Sequence, residues 1–301
     1  MYLYHFGLKE LPFTLTPNTQ FFLGLPSHHE ALQVLLTALK TGEGFIKVTG
    51  EVGTGKTLLC RKLMAELPDG FVTAYIPNPN LQPQELTIAV AEELGVELGE
   101  GISQQKITQL IQDKVMAYSQ QGKAVVLLLD ESQALPEDSI EALRLFTNLE
   151  TESRKLLQVV LFGQPELDER LAKPSLRQVK QRITFSYQLR VLHQNEVQPY
   201  INHRLAIAGY SGMPVFDEKA SKRIFSASGG IPRIINTLAH KCLMLCYGQN
   251  QQSVSVNHVK QAVADTEYVQ LPIWQQKKML LAASGVVLLG LLGVAVGANL
   301  L

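Results

Sequence analysis

The stretch FIKVTGEVGTGKT, Phe45 to Thr57, decides how the rest of the chain is read. An apolar, β-branched run ends in Gly50, and four residues later come Gly55, Lys56 and Thr57. This spacing is a complete P-loop. Glycines allow the backbone N–H groups of Gly50, Glu51, Val52, Gly53, Thr54 and Gly55 to turn inward around phosphate oxygens. Lys56 is placed to reach the β- and γ-phosphates of ATP, and Thr57 to ligate Mg²⁺. The following LLCRKLMAEL has helical spacing, which sets the phosphates on a helix N-terminus.

A second strand supplies the partner residues. Ala124 to Glu131 reads AVVLLLDE, a buried parallel-strand pattern that ends in two carboxylates some 75 residues after the loop. Asp130 is expected to complete the Mg²⁺ shell. Glu131 is expected to orient and deprotonate an attacking water. Further strands are predicted over 71–76 and 156–162, and helices over 82–94, 103–118 and 139–149. Strand–helix alternation of this kind predicts an α/β fold, a doubly wound parallel sheet with its ligand at the carboxyl ends of the strands. From Leu192 to Ala264 four helix-like runs are separated by Gly, Ser and Pro.

Composition narrows the function classes. Lys plus Arg total 27 and so do Asp plus Glu, so no global charge favours nucleic acid. The three cysteines, Cys60, Cys242 and Cys246, are too few for a disulfide framework and fit a reducing compartment. Cys242 and Cys246 lie four apart near His240, but a tetrahedral metal site lacks its other ligands, and buried thiols are the expectation. The chain starts without the basic and apolar regions of a secretory signal.

The other end differs from the rest. Met279 to Leu301 contains no charged residue. As a helix its 23 residues would span roughly 34 Å, enough for a hydrocarbon core of ~30 Å. Trp274, Lys277 and Lys278 precede it, as at a cytoplasmic membrane face. The expected topology is a single-pass C-terminal anchor with the remainder cytoplasmic. Gly293 and Gly297 form a GxxxG that could pair helices.

Several segments together resemble one family. FGLKELPFTLTPNTQFFLGLPSHHEAL, GEVGTGKT, LLLDESQ, LFGQPEL and GGIPRIIN, in that order over about residues 1–265, look like the ExeA/GspA-type AAA+ ATPases of general secretion and type IV-like pilus assembly. The short form with an apolar tail looks most like the MSHA pilus branch, the MshM-like proteins. The resemblance implies an AAA+ nucleotide-binding domain over 1–190, a helical lid over 191–266, a linker over 267–278 and an anchor over 279–301. It implies that Gln164 is the sensor beside the γ-phosphate, that Arg182 is the arginine finger for a neighbouring subunit with Arg177 as its competitor, and that Arg233 contacts nucleotide from the lid. It therefore implies an oligomer, a bacterial inner-membrane location and inner-membrane pilus or secretion proteins as partners. The aromatic stretch Phe6 to Phe22 is expected either to wrap the adenine or to form an arm on the sheet. Longer relatives continue into a periplasmic domain thought to bind peptidoglycan. This chain ends at Leu301, so a cell-wall role is expected of a partner instead. Two other readings use the same site: a nucleotide-gated scaffold with little turnover, and a DNA-directed regulator, which the charge balance and the tail disfavour.

Overall fold

The computed structural model describes residues 2–150 and 155–267. The expected anchor, its GxxxG and all but the first residue of the linker lie outside the described residues. Among the described residues no helix is long and apolar enough to cross a membrane. The described residues divide into two compact units, one within 14–191 together with 231–233, the other of residues 2–13, 192–230 and 234–267.

The first unit is built on five parallel strands: β1 (Phe45–Gly50), β2 (Phe71–Ile76), β3 (Ala124–Leu129), β4 (Leu157–Gly163) and β5 (Ile183–Leu189), in the order β2-β3-β4-β1-β5. The near-continuous aliphatic runs of β1, β3 and β4 follow from cover on both faces. Side chains alternate across a strand. Val125, Leu127 and Leu129 of β3 join one core with Val90, Ile111 and Ile140 of the helices Pro83–Glu93, Gln104–Gln120 and Glu137–Phe146. Val126 and Leu128 join the opposite core with Leu35 and Leu59 of the helices Pro26–Thr41 and Lys56–Glu66.

Four of the strands lie where the hydrophobic runs put them. The fifth, β5, was not assigned from sequence. Its residues ITFSYQL alternate between half-buried and exposed, as an edge strand with one covered face should. It pairs along β1 with a register irregularity between Phe45 and Ile46. The predicted 139–149 helix begins at Glu137 and ends at Phe146, with Pro136 at its N-cap.

One polar side chain ties a helix end to the sheet. Gln158 in β4 is 1% exposed, and its amide N–H groups donate to the carbonyls of Leu39 (3.1 Å) and Glu43 (2.9 Å), just where the Pro26–Thr41 helix ends at Gly42.

The second unit is helical, with helices Gln194–Ile207, Glu218–Ser228, Pro232–Gly248 and Val256–Ala264. Two start on side-chain caps, at Asp217 and Ser255, and a third has the His193 N–H donating to the Glu196 carboxylate at 2.7 Å. The first thirteen residues pack with these helices. The Tyr2 hydroxyl meets His240 Nδ1 at 2.9 Å, Lys9 N–H donates to the Ala208 carbonyl at 2.8 Å, and Arg204 Nε donates to the Pro12 carbonyl at 2.6 Å. Residues from Thr14 on belong to the sheet unit, where Phe21 is buried and Arg61 donates to the Pro17 carbonyl. Within Phe6–Phe22 the described contacts run to the helices up to Phe13 and to the sheet unit from Thr14 on. Cys242 and Cys246 are fully buried. Burial raises both thiols, Cys246 to about 11, which fits inert packing residues. Among the described residues no cluster is arranged to hold a metal through His, Cys, Asp and Glu.

Gln158→Leu is predicted to cost about 1–3 kcal/mol, because the buried Leu39 carbonyl and the half-buried Glu43 carbonyl lose this donor. Denaturant unfolding monitored on the sheet unit checks this, and wild-type stability would refute it.

Candidate nucleotide-binding site

The end of β1 runs into a loop that has no room for side chains at its glycines. A Cβ on Gly50 would meet the Leu189 carbonyl oxygen at 2.9 Å and Thr54 Oγ1 at 3.0 Å. Gly53, at φ +83°, would place a Cβ 2.6 Å from the Cβ of Arg233. Gly55, at φ +101°, would place one 3.0 Å from His28 Nε2. Left-handed backbone is accessible to glycine without a steric cost, so the loop turns twice within three residues. The helix Lys56–Glu66 starts directly after it.

Two further side chains shape the loop. Thr54 is fully buried, and its hydroxyl donates to the Glu51 carbonyl at 2.8 Å. His28, from the Pro26–Thr41 helix, places Nε2 2.9 Å from the Thr54 carbonyl. A carbonyl only accepts, so Nε2 carries the proton. No motif spacing marks His28, and sequence reasoning assigned it no role.

Lys56 is 5% exposed. Its ammonium donates to the Gly50 carbonyl at 2.7 Å and the Glu51 carbonyl at 3.0 Å. Burial lowers its pKa, while Glu131, Asp130, Glu51 and Glu166 pull it back up. Thr57 Oγ1 donates to Asp130 Oδ2 at 2.5 Å. These are adjacent hard oxygen donors, the type that Mg²⁺ takes. Asp130 is 2% exposed, and burial raises its carboxyl; bonds from Thr57 and from the Glu131 N–H oppose the rise.

Glu131 has φ +51° and ψ +37°, an uncommon conformation for a non-glycine residue. Burial pushes its carboxyl up. Donation from Gln133 and Gln164 and the charges of Lys56 and Arg233 outweigh that and leave it below the usual carboxylate range. Gln133 Nε2 donates to Glu131 Oε2 at 2.5 Å and Gln164 Nε2 to the same oxygen at 3.1 Å. Gln164 directly follows β4, which lies between β3 and β1. The ends of three adjacent strands thus bring Glu131, Gln164 and the glycine loop together. Sequence reasoning named Gln164 but gave Gln133 no role, though it stands in the quoted LLLDESQ.

Arg233 stands in the first turn of the Pro232–Gly248 helix, and its residues 231–233 group with the sheet unit. Its backbone N–H donates to the Gly53 carbonyl at 3.2 Å. The structure places Arg182 elsewhere. Its guanidinium bonds the end of the Glu137–Phe146 helix, at the Arg144 carbonyl (3.3 Å), Thr147 Oγ1 (3.0 Å) and Asn148 Oδ1 (2.7 Å). A cation at a helix C-terminus is stabilised by the carbonyls and the helix dipole. Arg177, at the start of the short Arg177–Arg182 helix, is exposed.

Residues 39–171 match the family described as AAA domain. This part of the chain is similar to AAA domains. Across 288 residues the chain is 38% identical to General secretion pathway protein A of Aeromonas hydrophila, covering 96% of this chain and 52% of that protein. The chain therefore spans about half the length of this relative. The match supports the GspA/ExeA group read from the sequence and does not single out the pilus branch. Among solved structures, the ORC2 protein of Aeropyrum pernix superposes with a TM-score of 0.64 at 15% identity, over 84% of this chain and 70% of that one. Cdc6p of Pyrobaculum aerophilum gives 0.64 at 16%, over 84% and 72%. The RuvB Holliday junction branch migration motor of Thermotoga maritima gives 0.55 at 17%, over 85% and 73%. At these identities the likeness is one of fold.

Two outcomes are expected. Gly53→Ala forces both a left-handed alanine and a collision at Arg233, so nucleotide affinity should fall at least ~10-fold by calorimetry while the circular dichroism spectrum holds. Unchanged affinity would refute the role given to the loop. Arg182→Ala should lower unfolding free energy by about 1 kcal/mol through loss of the helix-end bonds, and Arg177→Ala should leave it unchanged.

Proposed function

We propose that this chain is a membrane-anchored AAA+ ATPase that binds and hydrolyses Mg-ATP to support assembly or localisation of a type IV-like, MSHA-type pilus or a secretion complex. The observation that carries the catalytic part is the convergence on one loop of Lys56, the Thr57–Asp130 pair, and the Glu131–Gln164 contact. The similarity to General secretion pathway protein A supports the secretion or pilus setting. The uncharged Met279–Leu301 segment supports a single-pass anchor in the bacterial inner membrane, with the ATPase domain cytoplasmic.

In this reading the inward backbone N–H groups of Gly50 to Gly55 and the Lys56 ammonium bind the phosphates. Lys56 now sits on two carbonyls and would exchange them for phosphate oxygens, a stronger charge-assisted bond. Thr57 and Asp130 would hold Mg²⁺, whose bound form draws charge from the phosphate oxygens. Glu131, kept ionised by its neighbours, takes the proton of the attacking water. Gln164 faces the same water and the γ-phosphate. Arg233, whose backbone N–H bonds the Gly53 carbonyl, adds positive charge beside the loop. Arg182 or Arg177 serves a neighbouring copy as its finger, the first only after leaving its helix-end acceptors, which favours the exposed Arg177. That role requires an oligomer.

A scaffold with slow turnover is the second reading. It is favoured by the Glu131 carboxylate, whose Oε2 already accepts two side-chain amides.

Lys56→Ala is expected to lose ATP binding, and Glu131→Gln to keep binding while kcat drops at least ~100-fold. A steady-state phosphate-release assay with a parallel nucleotide-binding titration checks both; wild-type turnover in either variant would end the hydrolysis reading. Single-turnover rates at saturating ATP separate the motor from the scaffold. Crosslinking of full-length Glu131→Gln in native membranes with ATP should recover inner-membrane pilus or secretion proteins, and recovery of DNA-associated proteins would sink that part of the proposal.

A further inference from the structure

We propose that Gln133 is a positioning residue for hydrolysis, which fixes the Glu131 carboxylate by one oxygen and links it to the end of β4. The inference rests on the ATPase reading above and extends it to a side chain that neither the P-loop nor the paired carboxylates call for.

The side-chain amide of Gln133 works in two directions at once. Its Nε2 donates to Glu131 Oε2 at 2.5 Å, and its Oε1 accepts the backbone N–H of Gln164 at 3.0 Å. Gln164 then returns its own Nε2 to the same Glu131 Oε2 at 3.1 Å. The three residues close a ring of hydrogen bonds across the ends of β3 and β4. The backbone of Gln133 is held from outside the ring, where Arg170 of the Glu166–Leu171 helix donates to its carbonyl. Gln133 itself stands in the short helical turn Ser132–Ala134, which the left-handed Glu131 opens. The turn and the ring need each other: φ +51° at Glu131 aims the next residues back across the strand end, and the ring gives that conformation its compensation.

The consequence is chemical selection between two carboxylate oxygens. Both amide donors fall on Oε2, so Oε1 is the oxygen committed to the water proton. A general base must be oriented as well as ionised, and misplacement by ~1 Å costs up to about 100-fold in rate. Ring closure also makes the geometry of Glu131 depend on the backbone position of Gln164, so a displacement at the end of β4 reaches the base directly.

The test uses the full-length chain in membranes. ATP turnover is measured for wild type, Lys56→Ala, Gln133→Ala, Gln133→Glu, Gln164→Ala and the Gln133→Ala/Gln164→Ala pair, with nucleotide affinity and thermal unfolding alongside. Gln133→Ala should lower kcat about 10- to 100-fold with ATP affinity within ~3-fold of wild type, a split that a merely structural role would not produce. Gln133→Glu keeps the size, loses the donor and adds a like charge, so it should fall at least as far. The double variant should lose much less than the product of the two single losses, because either one opens the ring. Wild-type kcat in both Gln133 variants would overturn the inference, as would strict multiplication in the double variant. If wild type itself shows no turnover above Lys56→Ala, the ATPase reading fails instead. A Gln133→Ala chain that does not fold transfers the decision to Gln133→Glu.

Discussion

A loop of glycines that tolerates no Cβ is the constraint on which the rest of the sheet unit depends. Leu189 comes from β5, His28 from the helix before β1, and Arg233 from far along the chain. Each closes on a different glycine, and each contact is possible only because the side chain is missing. The same absence lets the backbone take φ values of +83° and +101°. A phosphate-binding turn and the meeting point of three remote segments are therefore one feature. The parallel sheet supplies the rest, since parallel strands bring several carboxyl ends to one edge.

Burial then sets the electrostatics. Lys56 is lowered and Asp130 raised by loss of water, and each offsets part of the other's cost. Glu131 departs from this pattern. It is partly buried, yet two amides and two cations keep it ionised. Two adjacent carboxylates in one chain thus have opposite tendencies: the one bonded to Thr57 is pushed toward protonation, and the one held by Gln133 and Gln164 is kept ready to accept a proton. Cation binding at the Thr57–Asp130 pair would reverse the first tendency.

The legible parts of this molecule were those with local causes. Long aliphatic runs that end in glycine or in paired acids can only be buried strands, and β1, β3 and β4 lie where those runs are. The start of the Gln104–Gln120 helix was legible for the same reason, since Ser103 bonds the backbone of its own next turn. β5 was not legible because an edge strand with half-exposed alternation resembles the polar helical turn before it. Nor was the packing of the first thirteen residues, whose partners lie roughly two hundred positions away at Ala208, His240 and Arg204.

The sequence by itself determined the chemistry: a loop that only glycine can form, a lysine at its end, and two carboxylates at the end of a buried strand. Those properties are carried by residue type and short spacing. The tertiary structure alone decided which side chains hold that chemistry in place. His28 behind Gly55, Gln133 between Glu131 and Gln164, and Arg182 on a helix end are ordinary residues in ordinary contexts along the chain. Their roles come from hydrogen bonds across 26, 31 and 34–38 positions, or from the folding of a turn, and no spacing rule records such contacts.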